Sequence, residues 1–590
     1  MMKKHRTMRK LVTLLCCMTT SMLLAQNRIV ELTFLHTSDL HGSVFSYDYM
    51  KHRQTQSGLP FIYAYADSLQ SELGERLILT DGGDCLQGQP AAYYSNYIDT
   101  TSAHVIASVM NQMHYVCTAM GNHDIETGHA VYDRWIRELN MPCLGANVID
   151  TRTGEPYLTP YIIINRAGVR IAFLGMVTPA IPYWLPENLW ENLRFENIPE
   201  SSEKWMKVIQ EREKPDLIVG VFHSGFSDGI AQDGCLENAT ELTARTVDGF
   251  DFILYGHDHR AAIQDVKTNN GKVVKCMGPT NAGTRFVQAS VKLTYEGENL
   301  VGKEIDGKVM STTDCLQLLG KKGLQKAQLF EADFVDERLA LDNWVNKPIG
   351  MLTEDLVEAD AYFGPSKFID FIHQMQLELT GADVSFSAPL SFNTILNAGE
   401  LTVNHMFNLY KFENMLYTMR LTGREIKGAL EMSYGKWTVQ MQRAEDHIML
   451  LKDDDAANGK KTSFVNMTFN FDSAAGIIYE VDVTKPVGER VHIISMADGS
   501  PFSFDKEYRV AVNSYRGNGG GELLTEGAGI ARTELPGRIL KSTEVDLRYH
   551  LMQHIIKKGT ITPTSLNQWR FVPEEWAKPA IERDRKLLFK

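Results

Sequence analysis

Cysteine is scarce in this chain, and beyond residue 25 it is scattered. The 590 residues hold 8 cysteines and no Cys-x-x-Cys, which argues against a dense disulfide framework. Those beyond residue 25 are Cys85, Cys117, Cys143, Cys235, Cys276 and Cys315. They read as small buried hydrophobes. No apolar run after the N-terminus is long enough to span a bilayer. Positive charge is in deficit, at a formal net of −13, which argues against a nucleic-acid polymer as partner. Internal repeats and low-complexity tracts are also missing. Asp453–Lys461 is a polar run, expected to be a mobile loop. What is present is an ordinary globular composition, 44% hydrophobic and 23% charged. The length calls for two or more cores.

The N-terminus has the form of an export signal. Lys3, Lys4, Arg6, Arg9 and Lys10 precede the apolar Leu11–Leu24, with cleavage expected after Ala25. An exported, periplasmic protein follows. Cys16 and Cys17 inside the apolar run leave a lipid-anchored, cell-surface form as the alternative.

Five short segments carry hard metal-ligand side chains. They are Asp39-Leu40-His41-Gly42, Gly83-Asp84, Gly121-Asn122-His123-Asp124, His223-Ser224-Gly225 and Gly256-His257-Asp258-His259. Singly, each reads as a turn or a helix cap. Jointly they offer the carboxylates of Asp39 and Asp84, the amide oxygen of Asn122, and the imidazoles of His41, His223, His257 and His259. That nitrogen and oxygen set suits two borderline divalent ions: Mn, Zn, Co or Fe. His36, His104, His114 and His129 have no such context and read as strand or surface histidines.

Each segment follows an apolar run. Leu32–Leu35, Leu77–Thr80, Tyr115–Met120, Leu217–Phe222 and Phe252–Tyr255 have the pattern of strands buried on both faces. Ile171–Val177 is similar, and helical stretches such as Ala130–Leu139 and Glu203–Arg212 intervene. In layered α/β folds, ligands gather beyond the carboxyl ends of the strands. All five segments lie at such ends.

This order of motifs resembles the calcineurin-type metallophosphoesterase family. With its second half, the chain resembles the 5′-nucleotidase and 2′,3′-cyclic-nucleotide 2′-phosphodiesterase group over residues 30–545. The resemblance implies an α/β fold: an N-terminal four-layer αββα metallophosphoesterase sandwich plus a C-terminal α+β domain of the 5′-nucleotidase type. The expected divisions are a signal peptide at 1–25, a dinuclear-metal domain at 26–320, a linker helix at 321–345 and a nucleotide-binding domain at 346–590. An acidic chain can still take small nucleotides, because local metals dominate the field.

Carried over from the family, Asp84 bridges the metals. Asp39, His41 and His259 complete one site; Asn122, His223 and His257 complete the other. His123 stabilises the transition state or protonates the leaving group. It needs an acidic partner, and both Glu126 and Asp124 stand close in sequence. Phe412, in Leu409-Tyr410-Lys411-Phe412-Glu413-Asn414, and Tyr515, before the glycine-rich 517–521, match the family's base clamp. Asn513, Gly519 and Gly520 accompany Tyr515 there. Thr178 and Arg285 are further candidates for framing the site.

Relatives that cut 5′-nucleotides carry a Gly-Gly-Ile-Arg segment whose Arg meets the phosphate. Ser387-Ala388-Pro389-Leu390-Ser391-Phe392-Asn393 occupies that place here, with no such Arg. Gly83–Pro90 and Phe471-Asp472-Ser473 resemble the cyclic-phosphodiesterase group. The expected activity is hydrolysis of 2′,3′-cyclic nucleotides to 3′-nucleotides and then to nucleoside plus phosphate. The alternatives are a 5′-nucleotidase or UDP-sugar hydrolase, and a nucleotide-binding surface protein whose catalysis has decayed.

Overall fold

The fold was obtained as a computed structural model, which describes residues 27–232, 234–452 and 462–589. The expected signal peptide and the polar run Asp453–Lys461 lie outside the described residues. No helix among the described residues is long and apolar enough to cross a membrane.

The first half is built from β1 (Asn27–Thr37), β2 (Leu77–Asp81), β3 (Cys117–Ala119), β4 (Cys143–Leu144), β5 (Tyr161–Arg166), β6 (Val169–Val177), β7 (Leu217–His223), β8 (Phe252–Tyr255), β9 (Ala262–Lys267), β10 (Val273–Gly278), β11 (Arg285–Glu296) and β12 (Asn299–Ser311). They form two six-stranded sheets, ordered β12-β11-β1-β2-β3-β4 and β9-β10-β8-β7-β6-β5. In the first sheet β1 to β4 run parallel. In the second, β6, β7, β8 and β10 do.

Alternation along the strands explains the layering. Val30, Leu32 and Phe34 join Ile171, Phe173, Leu217, Val219, Phe252 and Leu254 in one buried cluster between the sheets. Leu35, Leu77 and Leu79 face the other way, into a cluster shared with Ile62, Val109 and Trp135 of flanking helices. Ala172, Leu174, Ile218 and Ile253 pack outward against Ile198, Met206 and Ala244. Side chains point alternately to opposite faces, so apolar runs of this kind need cover on both sides. The result is the four-layer helix–sheet–sheet–helix sandwich.

Two helices, Thr312–Ala332 and Val335–Val345, lead into the second half. The sequence predicted one linker helix beginning at 321. A first helical segment is capped by Ser311, which accepts Asp314 N–H; the helix is interrupted at Gly320, whose φ is 58°, and resumes from 321. The second half centres on a five-stranded sheet of β13 (Val384–Ser387), β14 (Leu416–Thr422), β15 (Ser473–Ala475), β16 (Glu507–Asn513) and β17 (Ile539–Ser542), ordered β15-β13-β16-β14-β17. Its core includes Trp437, stacked between Tyr434 at 5.0 Å and Phe471 at 5.5 Å.

The halves are in direct contact. Tyr93 Oη donates to Asp546 Oδ2 at 2.9 Å, and the Arg548 guanidinium lies 5.0 Å from the Tyr93 ring and 4.2 Å from that of Phe407. Asn404 Nδ2 donates to the Tyr49 carbonyl at 2.5 Å.

Candidate metal centre

The predicted ligands converge from the carboxyl ends of β1, β2, β3, β7 and β8. Asp39, His41, Asp84 and His259 form one group of close ligand atoms, and Asp84, His223 and His257 form a second. Asp84 belongs to both. Asn122 joins the second group, its Oδ1 being 3.0 Å from His223 Nε2.

The donor chemistry fits cations. His223 Nδ1 faces the Gly82 carbonyl at 2.7 Å, and His41 Nδ1 faces the Gln87 carbonyl at 3.0 Å. A carbonyl only accepts, so each Nδ1 carries hydrogen and each neutral ring presents a lone pair at Nε2. The His41 lone pair is aimed at His259 Nε2, 3.1 Å away. That of His223 is aimed at two oxygens, Asn122 Oδ1 and, at 3.3 Å, Asp84 Oδ1. Carboxylate and amide oxygens crowded on these ring nitrogens call for positive charge between them, as a cation or as a proton on the ring. Burial opposes charge on His223, yet the neighbouring carboxylates, Asp84 first, raise its pKa to about 10. For Asp84 burial pulls upward, but His223 and His123 hold it well below the usual carboxylate range.

The backbone is distorted to achieve this convergence. Asp39, His41, Asp84, His257 and His259 have φ of 54°, 49°, 59°, 83° and 56°. For a residue with a Cβ, left-handed backbone costs about 1–2 kcal/mol, and such strain clusters at functional sites. Gly121 shows how tight the packing is. A Cβ there would stand 2.1 Å from Asp84 Oδ1.

His123 lies beside the two ligand groups, its ring 5.5 Å from that of His41. The structure separates its two candidate partners. Glu126 Oε2 lies 2.5 Å from His123 Nδ1. Asp124, the other candidate, is turned away from the ring. Its carboxylate accepts the backbone N–H of Asp84, Cys85, Leu86 and Gly121 at 2.7–2.9 Å. Those donors lie on the Asp84 loop and at its own helix start, so Asp124 acts as a clasp. Burial works against a charge on His123, but Asp84 and Glu126 prevail and lift its pKa to about 9. With Nδ1 engaged by Glu126, Nε2 is left to meet a substrate.

A cleft of about 820 Å³ opens from this point. His41, His123 and His259 line one side; Phe392, Lys411 and Phe412 of the second half line the other. Tyr515 lies in the short helix Ser514–Gly517. The next loop returns to the metal side: Asn518 Nδ2 donates to the Trp184 carbonyl at 3.2 Å, and the Trp184 ring lies 5.7 Å from that of His257. Asn513, expected at the ligand, has its amide engaged. Oδ1 accepts Arg516 N–H at 2.8 Å, and Nδ2 donates to Tyr410 Oη at 3.3 Å. Gly519 and Gly520 are buried in this loop.

Glu237 was not singled out in the sequence. Its Oε1 is 3.0 Å from His257 Nε2, a carboxylate–histidine pair that leaves Nδ1 for a metal. No spacing signal marks it, because it reaches the site from an irregular loop. Thr178 Oγ1 donates to the Glu237 carbonyl at 3.0 Å and so steadies that loop. Arg285 is exposed at the start of β11. Buried His36 and His104 bond to Thr80 and Asn96. Cys85 is buried, and its thiol points to Asp81 Oδ1 at 3.4 Å, a packing role.

Comparison with known proteins agrees with this architecture. The calcineurin-like phosphoesterase family matches residues 32–261, and the 5′-nucleotidase C-terminal domain matches residues 348–526. The chain belongs to the calcineurin-like phosphoesterases that carry a 5′-nucleotidase C-terminal domain. This phosphoesterase is a phosphoester hydrolase, and its family implies divalent metal ions. It is 26% identical over 606 residues to the trifunctional nucleotide phosphoesterase protein YfkN of Bacillus subtilis, covering 92% of this chain but 39% of YfkN. It is also 26% identical over 617 residues to a 2′,3′-cyclic-nucleotide 2′-phosphodiesterase/3′-nucleotidase of Haemophilus influenzae, covering 92% and 88%. A putative 5′-nucleotidase from Staphylococcus aureus shares the fold of the phosphoesterase, with TM-score 0.71, 21% identity and 92% and 100% coverage.

Proposed function

We propose that the chain is an exported hydrolase of nucleotide phosphoesters. It opens 2′,3′-cyclic nucleotides to 3′-nucleotides and then releases phosphate to leave the nucleoside. The observation that carries this reading is the cleft running from His123 to Phe412, which joins phosphoester chemistry to an aromatic surface suited to a base. The names of the Bacillus and Haemophilus relatives support it. In this reading residues 26–320 form the metal domain, 321–345 the linker and 346–590 the substrate domain.

Asp39, His41, Asp84 and His259 would hold one divalent ion, and Asp84, Asn122, His223 and His257 the other. Once bound, the ions supply positive charge at the phosphoryl oxygens and lower the pKa of water. His123, held by Glu126, gives a proton to the departing oxygen as the P–O bond breaks: O2′ in the first hydrolysis, O3′ in the second. A water oxygen joins phosphorus each time, so atoms balance at one water per step. Phe412 and Tyr515 hold the base, and the sugar is reoriented between steps.

A 5′-nucleotidase or UDP-sugar hydrolase is the second reading. Lys411 favours it, because it lines the cleft and adds a cation there, whereas the 387–393 stretch has no Arg. Phosphate release with added Mn from 2′,3′-cyclic AMP, 3′-AMP, 5′-AMP and UDP-glucose tests the choice. The UDP-glucose reaction is coupled to a phosphatase. Rapid turnover of the first two is expected; preference for 5′-AMP would select the second reading. Absence of turnover in protein that binds metal would favour a nucleotide-binding protein without catalysis.

A further inference from the structure

Resting on the nucleotide reading above, we propose that Phe469 is a third base-binding ring, closing the end of the slot formed by Phe412 and Tyr515. The Phe469 ring is 6.1 Å from Phe412 and 6.0 Å from Tyr515, and perpendicular to both, at 89° each. Three segments distant in sequence thus bring their aromatics together. All three rings are half-buried, whereas Phe471, two residues on, is fully buried. A base stacked on Phe412 or Tyr515 would turn its edge toward Phe469. Edge-to-face contact at this range is favourable between aromatic rings.

The arrangement is fixed from beneath by one guanidinium. Arg516, next to Tyr515, is 1% exposed. Its Nη2 donates to the Phe469 carbonyl at 3.0 Å and to Asp472 Oδ2 at 2.5 Å. Its Nη1 donates to Asn470 Oδ1 at 3.4 Å and to the Gly520 carbonyl. A buried cation is tolerated only when paired and hydrogen-bonded, and here its partners are the Phe469 turn and the glycine loop. Gly520 seats the Tyr515 ring; a Cβ there would fall 2.5 Å from it. Phe469 and Tyr515 are therefore held by the same residue, so the slot keeps its depth. Depth decides which bases fit: a bicyclic purine reaches further toward the end wall than a pyrimidine.

Steady-state kinetics of Phe469→Ala and Phe469→Leu with 3′-AMP, 3′-CMP and glycerol 2-phosphate test this. KM for 3′-AMP should rise about tenfold and that for 3′-CMP less, with kcat within about twofold and glycerol 2-phosphate unaffected. Phe469→Leu keeps apolar volume and should show the same order if the alanine variant does not fold. Phe412→Ala and Tyr515→Ala are the controls. If they raise KM for both nucleotides while the Phe469 variants leave it unchanged or lower it, the third ring is refuted and the nucleotide reading stands. If none of the four changes KM for any nucleotide, the nucleotide reading falls, and the third ring with it.

Discussion

The backbone N–H of His123 donates to Asp84 Oδ1 at 2.8 Å. The residue proposed to protonate the leaving group and the carboxylate shared by both candidate ligand groups are therefore tied through the main chain. The His123 side chain can be removed without cutting that tie. Its alanine variant should keep its metal while kcat falls by about 10²–10⁴. Asp84→Ala should lose both metal and turnover. Metal analysis beside kcat separates the two, and loss of metal from His123→Ala would contradict the arrangement.

The two acidic neighbours of His123 should fail in different assays. Glu126→Gln removes the charge that holds the imidazole, so kcat should drop while the melting temperature changes little. Asp124→Asn places an NH2 among four backbone donors. An unmet buried donor costs about 1–3 kcal/mol, so this variant should melt earlier and bind metal more weakly. Equal effects of both substitutions in both assays would refute the division of roles.

Gly121→Ala is expected to strip metal without replacing any proposed ligand. The new Cβ would stand 2.1 Å from Asp84 Oδ1 and 2.3 Å from Asp84 N. The bridging carboxylate has to move. Metal content after dialysis should fall below wild type, and unchanged content would show that the loop can yield.

Glu413 gives a pH test away from the metals. It meets Tyr97 Oη at 3.3 Å and Arg548 Nη1 at 3.5 Å at the contact between the halves. Burial above all, with Glu126 and Asp546 adding to it, raises its pKa to about 8; Arg548 opposes without prevailing. The folded protein keeps this proton while the unfolded chain releases it near 4.5. Stability from this group is whole at low pH and is lost as pH rises toward 8, by up to about 1.4 kcal/mol per unit. Glu413→Gln does not titrate there. Its melting temperature minus that of wild type should therefore grow from about pH 5 to about pH 8 and then level off. A constant difference would mean that Arg548 keeps the carboxylate charged.

The convergence of the candidate ligands was legible in the sequence because each follows a strand whose apolar pattern is visible. His223 closes a run buried at every position, and Asp84 sits just past another. What could not be read depends on direction rather than order. Asp124 and Glu126 are chemically equivalent in a string; one helical turn decides that Glu126 faces the ring and Asp124 the Asp84 loop. Glu237 and Phe469 arrive from irregular segments with no periodicity. Their partners, His257 and Arg516, are known only once the chain has closed.

The left-handed backbone at Asp39, His41, Asp84, His257 and His259 has a consequence for laboratory evolution. Glycine adopts that conformation without penalty, so at all five positions it would relax the metal-free fold while deleting a ligand. A library screened for heat resistance alone, in chelator, should drift toward glycine at these sites and yield sturdy but inert proteins. Only a screen that demands turnover would hold the five residues in place.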